Sequence, residues 1–198
     1  MPYIFNPDTL HTITKKSLDL PCEQMFETLR TELEQQYPGK ISNKIEWMLN
    51  NAGGCMYSIA VLHASFQEYL LIFGSSIGTA GHTGRHFTEI YDFVIDGELW
   101  YFSEKRPYER VSRKAGDKYY LDKFQSEGLS IPERAWVLEY ARGFIPSMLP
   151  FGLADSFFST LDWKTIASTF GIYGKLLLKN YWNSFVSKSV SSTPKEIQ

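Results

Sequence analysis

Glu139 is a carboxylate inside an otherwise apolar segment, RAWVLEYARG at residues 134–143. If this segment is a strand, apolar side chains lie on both faces around it: Trp136, Leu138 and Tyr140 on one face, Val137 and Ala141 on the other. Burying an ionised carboxylate without a partner is costly. We therefore expect Glu139 to be protonated, to be paired with a base, or to be ready for a cationic ligand.

Further acids lie in HFTEIYDFVI, residues 86–95. As a strand, this segment places Asp92 between Ile90 and Val94 on one face and Glu89 among apolar residues on the other. Two buried acids that lie close together separate their pKa values, because charging both is costly. One then donates a proton and the other accepts it. The pattern suits proton transfer or capture of an ammonium group, and the spacing leaves open whether Asp92 or Glu89 meets Glu139.

Histidines offer a competing interpretation. His82 and His86 lie four residues apart and Glu89 follows three residues later, a composition that can bind a divalent metal. However, the intervening Thr-Gly favours a turn, and strand alternation points Glu89 away from both histidines, so no metal site is predicted. His63, in VLHASFQEY, is expected to be a structural histidine.

Strands in the middle of the chain must position these groups. Four segments are rich in β-branched and aromatic residues and are separated by Gly-rich turns: 55–62, 68–74, 86–102 and 134–142. Asp96-Gly97, between FVI and ELWYF, predicts a hairpin turn. Residues 104–130 predict only loops and short strands. Together these patterns indicate a small antiparallel sheet or barrel.

Two helices are predicted before this sheet. Residues 21–37 are amphipathic, with Pro21 suited to a first helical position and Tyr37-Pro38-Gly39 at the end. Asn43–Asn50 predicts a second, short helix, which Gly53 and Gly54 separate from the strands.

Two more helices are predicted after the sheet, one from Pro150 to about Phe158 and a longer one that starts with Thr160 and Asp162. The longer helix has an apolar stripe of Ile166, Phe170, Tyr173, Leu177 and Tyr181, with Lys164, Lys175 and Lys179 opposite. A stripe backed by lysines suits a helix that lies on a membrane. It equally suits a surface helix that covers the sheet.

Composition limits the class of protein. The chain has 198 residues, of which 43% are apolar, enough for one domain with a substantial core. Its 20 basic and 22 acidic residues give a net charge of −2, which argues against nucleic-acid binding by phosphate neutralisation. The aromatic content of 16% suits a broad apolar cavity or an amphipathic surface. Two cysteines, Cys22 and Cys55, exclude a disulfide scaffold and a Cys-rich zinc site.

Several targeting and catalytic patterns are not found in the sequence. The N-terminus does not read as a signal peptide or membrane anchor. The longest uncharged apolar run, Gly143–Ala154, is shorter than the roughly 20 residues that span a bilayer. There is no G-x-G-x-x-G, P-loop or G-x-S-x-G motif, so nucleotide chemistry and serine hydrolysis are not expected, and no cofactor is predicted.

Three segments resemble the C-8 sterol isomerase and sigma-1 receptor family: NNAGG (50–54), LHASFQEYLLIFGSSIGTAGHTGRHF (62–87) and WVLEYARGFIPSMLPFGLADSFFSTLD (136–162). Their order and approximate spacing agree with the family across residues 25–182. The IPSMLPFG and STLD stretches look closer to the fungal isomerases, and Arg85 to Asp92 looks closer to the receptor branch.

The resemblance implies an α+β fold, a cupin-like antiparallel β-barrel around an apolar pocket. N-terminal helices would flank the barrel, and two C-terminal amphipathic helices would face a membrane. One domain over 1–198 would comprise a helical region (1–50), the barrel (51–145), the helix pair (146–187) and a tail (188–198). The family also implies a homotrimer and a peripheral membrane location, at the endoplasmic reticulum in a eukaryote or otherwise on the cytoplasmic face of a membrane.

The resemblance also implies which residues act. Glu139 would meet the cationic amine of ligands in the pocket, and Asp92 would pair with it as in the receptor branch. Other positions match residues that line the pocket: Tyr69, Leu71, Phe73, Ile90, Leu149 and Tyr173. The expected activity is a sterol Δ8–Δ7 isomerisation in which Glu139 acts with Asp92 or Glu89. The alternative is a non-enzymatic, receptor-like protein that binds sterols or lipophilic amines.

The chain departs from the family in three respects. The family's N-terminal transmembrane helix has no counterpart here. A pocket histidine of the receptor branch has none in DKFQSEGLS. The fungal isomerases keep an acid at the place of Glu89 more reliably than at that of Asp92, which leaves the partner of Glu139 open.

Overall fold

The computed structural model describes residues 3–191, and residues 181–191 by their backbone alone. The described helices are α1 (Pro7–Lys15), α2 (Cys22–Gln36), α3 (Leu149–Phe158), which follows a 3-10 turn at Ile145–Met148, and α4 (Trp163–Ser191). The strands are β1 (Trp47–Ala52), β2 (Cys55–Ala64), β3 (Glu68–Ser75), β4 (Thr79–His82), β5 (Thr88–Ser103), β6 (Arg106–Lys114), β7 (Lys118–Leu121), β8 (Glu127–Ile131) and β9 (Ala135–Gly143). The fold is α+β and cupin-like, as expected.

The strands form one antiparallel sheet in the order β1-β2-β3-β9-β5-β8-β4, with β6 and β7 also paired to β5. The sheet curls so that the backbone N–H of His82 donates to the carbonyl of Gly53, 2.8 Å away. Because side chains alternate along a strand, β9 contributes to two hydrophobic cores, one inside the barrel and one between the sheet and the N-terminal helices. Val137 and Ala141 face the inside of the barrel, whereas Leu138 and Tyr140 pack beneath α1 and α2.

The N-terminal helices cover the outside of the barrel. The predicted helix at 21–37 is confirmed as α2, whose buried face is Met25, Phe26, Leu29 and Leu33. The preceding α1 was not expected; the Oδ1 atom of Asn6 caps it by accepting from the backbone N–H of Asp8 at 2.9 Å. The helix predicted at Asn43–Asn50 is wrong. Met48, Asn50 and Ala52 are buried at every second position, and this period of two belongs to strand β1.

The hairpin predicted at Asp96-Gly97 is also wrong, because β5 continues through it to Ser103. The strand is bulged there: Val94 lies opposite Val137 and Asp96 opposite Trp136, which leaves Ile95 as the extra residue. Gly97 has a φ of +76°, and a Cβ atom there would lie 1.9 Å from the carbonyl oxygen of Arg134. The left-handed glycine thus bends a long strand and does not reverse the chain.

The C-terminal helices begin as expected. Helix α3 covers the predicted 150–158 segment, and the carboxylate of Asp162 caps α4 by accepting from the backbone N–H of Thr165 at 3.0 Å. Asp162 is thus the N-cap, in place of Thr160. Helix α4 covers the barrel, and Leu176 and Ile166 lie in its buried face.

The predicted stripe of α4 is partly wrong. Phe170 is 55% exposed, whereas Thr165 and Thr169 are buried. The Thr169 hydroxyl donates to the carbonyl of Thr165 at 2.8 Å, and this satisfied hydroxyl can be buried. Lys179 does not belong to an outer lysine face, since its ammonium donates to the carbonyl of Ile41 at 3.1 Å. The side chain of Tyr181 and the end of the predicted tail (192–198) lie outside the described residues.

Candidate active site: a carboxyl pair in an apolar cavity

The barrel encloses a cavity between the inner face of the sheet and the C-terminal helices. The strand residues predicted to contact a ligand all line it: Tyr69, Leu71, Phe73 and Ile90. Leu149 of α3 and Tyr173 of α4 line it from the helical side. The structure thus brings the six predicted residues to one cavity, and their contact with a ligand stays a prediction.

Asp92 and Glu139 face each other within this cavity. They are directly opposite in the register of β5 and β9, and their carboxyl groups lie within hydrogen-bonding reach. Asp92 is 5% exposed. Glu139 retains more accessible surface, and that surface lines the cavity. Among residues 3–180, no ion pair of either carboxyl with a lysine, arginine or histidine is found.

Two phenols provide the hydrogen bonds of the pair. The hydroxyl of Tyr69 donates to Oε1 of Glu139 at 2.5 Å, and the hydroxyl of Tyr101 donates to Oδ2 of Asp92 at 2.8 Å. The other oxygen of Asp92, Oδ1, is buried and receives no hydrogen bond from a donor group of the described side chains. A proton on Glu139 would supply that bond, because a protonated carboxyl is a donor.

Burial raises the pKa of both carboxyls. For Glu139 burial is the larger cause, the nearby charge of Asp92 raises the pKa further, and the bond from Tyr69 lowers it. For Asp92 burial raises the pKa, and the bond from Tyr101 opposes this. Charging both acids in a low-dielectric cavity is unfavourable, so the pair holds on to a proton in a range where free carboxyls have lost theirs.

Glu89 does not join this pair. It lies on the outer face of β5, opposite Arg142 of β9, whose Nη2 atom is 2.5 Å from its Oε2 atom. Lys123 adds a second cation 3.7 Å away. The apolar surroundings predicted for Glu89 are therefore wrong, because the strand alternation that brings Asp92 inward directs Glu89 to the ion pairs outside.

The competing metal cluster does not form. Among the side chains that the structure describes, those of residues 3–180, no three His, Cys, Asp or Glu come together as a group that could hold a metal ion. The Nδ1 atom of His82 accepts from the backbone N–H of Gly84 at 2.9 Å, and the Nε2 atom of His86 lies 3.0 Å from the carbonyl of Thr83. His63 is fully buried, with Nδ1 2.8 Å from the carbonyl of Lys40.

Tyr101 and Tyr119 are cavity residues that the sequence interpretation missed. Their rings stack with centroids 3.9 Å apart, and the Tyr119 hydroxyl donates to Glu127. The signal for Tyr101 lies beyond the bulge. Inward positions change from even numbers, such as Asp92, to odd ones once Ile95 is inserted. Because a hairpin was predicted at Asp96-Gly97, the sequence interpretation did not follow the strand past the bulge and did not place Tyr101 in the cavity.

These features define a class: a cupin-like barrel with an apolar cavity and a carboxyl pair on its wall. Residues 1–184 match the family model described as ERG2 and Sigma1 receptor like protein. The chain belongs to this family.

Relatives of both kinds are similar to it. C-8 sterol isomerase erg2 of Aspergillus fumigatus is 38% identical over 90% of this chain and 76% of its own. Sigma non-opioid intracellular receptor 1 of Xenopus tropicalis is 37% identical over 89% of this chain and 80% of its own. Protein erg2 homolog of Dictyostelium discoideum is 38% identical over 86% of this chain and 73% of its own.

Two solved structures are similar at lower identity. An RmlC-like cupin from Shewanella frigidimarina has a TM-score of 0.43 and 14% identity, covering 52% of this chain and 94% of its own. KdgF from Halomonas sp. has a TM-score of 0.44 and 13% identity, covering 52% of this chain and 91% of its own.

Among the described residues, no helix has both the length and the apolar character needed to cross a bilayer.

Proposed function

We propose that the protein is a sterol Δ8–Δ7 isomerase and that Glu139 and Asp92 are its acid–base pair. The observation that carries the proposal is the facing pair of carboxyls in an apolar cavity, where phenols are their hydrogen-bond donors. The similarity to proteins named C-8 sterol isomerase supports the choice of reaction.

The reaction needs one proton donor and one proton acceptor. Glu139, whose pKa is raised both by burial and by Asp92, donates its proton to one carbon of the Δ8 double bond. The ring carbon next to the other alkene carbon then loses a proton to the Asp92 carboxylate, and the electrons of that C–H bond form the new Δ7 double bond. A proton transfer from Asp92 to Glu139 restores the starting state, so no other reactant is needed.

The cavity stabilises the cationic intermediate of this sequence. An ionised carboxylate acts strongly on a nearby carbocation, because the apolar walls do not screen the charge as water does. A lipophilic ammonium ion imitates the same charge distribution and should bind competitively. The same site thus accounts for both turnover and amine binding.

Membrane association is part of the proposal. An exposed apolar group surrounds the α3–α4 connection: Phe157, Phe158, Leu161, Trp163 and Phe170. Phe158 is 85% exposed and the indole of Trp163 is suited to the interface of a bilayer. Lys164 follows Trp163 directly and Lys175 lies about three turns farther along α4, and we propose that both face lipid headgroups. We propose a peripheral location, at the endoplasmic reticulum in a eukaryote, and the homotrimer that the family resemblance implies.

The second candidate is a receptor-like protein that binds sterols or lipophilic amines without turnover. The similarity to sigma non-opioid intracellular receptor 1, at 37% identity, favours it. The carboxyl pair that would bind the amine is the same in both candidates. Turnover is the property that separates them.

The test is to incubate the purified chain with a Δ8 sterol in detergent and to detect the Δ7 product by mass spectrometry. We expect product, inhibition by a lipophilic tertiary amine, and loss of both product and amine binding in Glu139→Gln. The variant should remain folded, since it removes a buried acid and keeps the shape. Amine binding without product would support the receptor-like candidate, and full activity of Glu139→Gln would contradict the proposed mechanism.

A further inference from the structure

Four exposed phenylalanines lie together at one end of the barrel, and we call them the phenylalanine cluster. They come from four loops: Phe66 from the β2–β3 turn, Phe87 from the segment before β5, Phe124 from the segment after β7, and Phe144 from the segment after β9. Their exposed fractions are 66%, 58%, 54% and 61% in that order. Together they expose roughly 400 Å² of aromatic surface, a size at which an apolar patch on a protein is often functional.

Backbone hydrogen bonds join the loops of Phe66 and Phe144. The N–H of Ile145 donates to the carbonyl of Phe66 at 3.1 Å, and the N–H of Gly143 donates to the carbonyl of Gln67 at 2.8 Å. These N–H groups already have acceptors within the protein. The two side chains can therefore enter an apolar phase without leaving those donors unpaired.

Phe87 and Phe124 form the other half of the cluster. Their rings meet edge to face with centroids 4.8 Å apart, and the N–H of Phe124 donates to the carbonyl of His86 at 2.8 Å. Thr88 pairs with Gly143 in the register of β5 and β9. This pairing places the second half of the cluster beside the first.

Charged side chains of both signs surround the cluster. Arg85 is 48% exposed and lies 3.5 Å from Glu104, and Lys123 is 42% exposed and lies 3.7 Å from Glu89. Asp122, next to Lys123, is also exposed. The surroundings thus offer cations to a phosphate and anions to a quaternary amine, without a large excess of either charge. This charge pattern is complementary to a zwitterionic phospholipid headgroup.

The cluster adjoins the part of the chain that closes the cavity. Ile145 and Met148 of the 3-10 turn follow Phe144 and line the cavity, as does Leu149 at the start of α3. Helix α3 has 10 residues and is about 15 Å long. It ends at Phe158, in the exposed apolar group of the α3–α4 connection. One short helix on the cavity wall therefore joins the two exposed apolar surfaces.

We infer that the phenylalanine cluster is a second docking surface for a bilayer of zwitterionic phospholipid, in addition to the α3–α4 connection. This inference rests on the membrane association proposed above. Phenylalanine side chains bury well at the boundary between headgroups and acyl chains. Docking at both ends of α3 holds the cavity wall at residues 145–149 against the phase that dissolves a sterol.

The test measures how the purified full chain partitions onto phosphatidylcholine vesicles, by flotation. Phe66→Ser combined with Phe144→Ser removes half of the cluster. We expect the partition coefficient to fall about tenfold, the effect of burying roughly one complete aromatic side chain less. The loss should be the same at low and high salt, because apolar burial and not net charge drives the docking.

Ile77→Ser combined with Tyr108→Ser is the matched control. These side chains are 79% and 98% exposed, and they lie in the β3–β4 connection and in β6, outside the cluster. The control should partition as the wild type does. Thermal unfolding and amine binding in detergent should be unchanged in both double variants, which shows that the fold and the cavity are intact.

A fluorescent label locates the contact directly. An environment-sensitive fluorophore (NBD) is attached to Phe144→Cys in a Cys22→Ser background, where the remaining Cys55 is buried. We expect its emission to move to shorter wavelength when vesicles are added. The same label on Ile77→Cys should not respond.

The outcomes separate this inference from the proposed function. Wild-type partitioning of the Phe66→Ser, Phe144→Ser variant, or no response of the label at residue 144 on bound protein, would overturn the inference and leave docking through the α3–α4 connection intact. A variant that changes the mass in solution by light scattering but not the partitioning would assign the cluster to a second copy, and this too would overturn it. If the wild-type chain does not partition at all, the proposed membrane association also fails, whereas Δ7 product in detergent would still support the isomerase.

Discussion

Strands β5 and β9 bring together two pairs of charged residues on opposite faces of the same sheet. On the inner face, Asp92 lies opposite Glu139, and each carboxyl accepts a hydrogen bond from a phenol. On the outer face, three residues away, Glu89 lies opposite Arg142. The backbone pairing is the same in both cases, so the difference lies in the side chains and in what surrounds them.

The outer pair is arranged for stability. Arg142 donates to Glu89 through Nε at 2.6 Å and to the hydroxyl of Tyr91 through Nη2 at 2.9 Å. Opposite charges that share hydrogen bonds stabilise a cross-strand pair. In the inner pair, Asp92 and Glu139 are both acids, so they do not attract each other, and burying their charge in the cavity is costly. An arrangement that costs stability at one face, beside a stabilising one at the other, supports the proposal that the inner pair takes part in the reaction.

The largest expected effect is on turnover. Asp92→Asn should lower isomerase activity by about 10²–10⁴-fold, because it removes the proposed proton acceptor. Glu89→Gln, three residues away on the same strand, should leave turnover near the wild-type value. The measurement is Δ7 product formed per unit time at saturating substrate. A loss in Glu89→Gln as large as that in Asp92→Asn would show that the distinction between the two faces is wrong.

The second prediction concerns stability, where we expect Glu89→Gln to have a larger effect than Asp92→Asn. Glu89→Gln should lower the free energy of unfolding by about 1.5–3 kcal/mol, the usual contribution of hydrogen bonds to charged groups. The side chains of Glu89 and Arg142 are only 19% and 25% exposed, so water replaces those bonds poorly. Asp92→Asn should lower the free energy of unfolding less than Glu89→Gln does, because it also removes the unfavourable burial of an acid.

Thermal unfolding measures this difference, at roughly 2–4 °C per kcal/mol for a chain of this size. Arg142→Gln combined with Glu89→Gln completes a double-mutant cycle that isolates the pair. Unfolding temperatures that do not differ between wild type and Glu89→Gln would contradict the assigned role.

The contrast between the faces also bears on what sequence can predict. Alternation alone predicted that Glu139 faces the same side as Val137 and Ala141, and the pairing of strands confirms it. It could not choose between Asp92 and Glu89, because both lie among apolar neighbours in the sequence. The arginine that pairs with Glu89 comes from β9, and only the register between strands brings it there.

The bulge shows a second limit. Asp96-Gly97 provides the left-handed glycine that a hairpin turn requires, and the same backbone conformation also serves a bulge. The choice depends on the contact of Gly97 with Arg134 of the neighbouring segment, which is 37 residues away in the chain. In α4, likewise, hydropathy favoured Phe170 for the buried face, and the satisfied hydroxyl of Thr169 lies there.

The third prediction uses pH to compare the two faces. The folded-state pKa values of Asp92 and Glu139 are raised, so the folded state holds protons that the unfolded chain has released above about pH 4. The pair therefore lowers the free energy of unfolding as pH rises from there through the folded-state pKa values, and below that range the effect is lost.

The double variant Asp92→Asn with Glu139→Gln removes this dependence. Its stability relative to wild type should increase steadily between about pH 4 and neutral pH, since only the wild-type protein acquires the buried charge. Urea unfolding at a series of pH values measures the difference. A difference that stays constant with pH would mean that the pair does not titrate in that range.

The smallest expected effect on turnover comes from the two phenols that donate to Asp92 and Glu89. Tyr101 donates to Asp92 inside, and Tyr91 donates to Glu89 outside at 3.2 Å. Loss of one hydrogen bond to a charged group is worth about 1.5–3 kcal/mol, so Tyr101→Phe should lower turnover roughly ten- to hundredfold. Tyr91→Phe should not change turnover, and it serves as the matched control.

The direction of the pH profile makes the phenol test specific. The bond from Tyr101 lowers the pKa of Asp92, so Tyr101→Phe should raise that pKa further. If Asp92 must be ionised to accept the proton, activity rises with pH through its pKa, and the acidic limb of the pH–rate profile should move to higher pH in Tyr101→Phe. Tyr91→Phe should keep the wild-type limb. A rate loss in Tyr101→Phe without this movement would assign Tyr101 to packing and would take from Asp92 the role of proton acceptor.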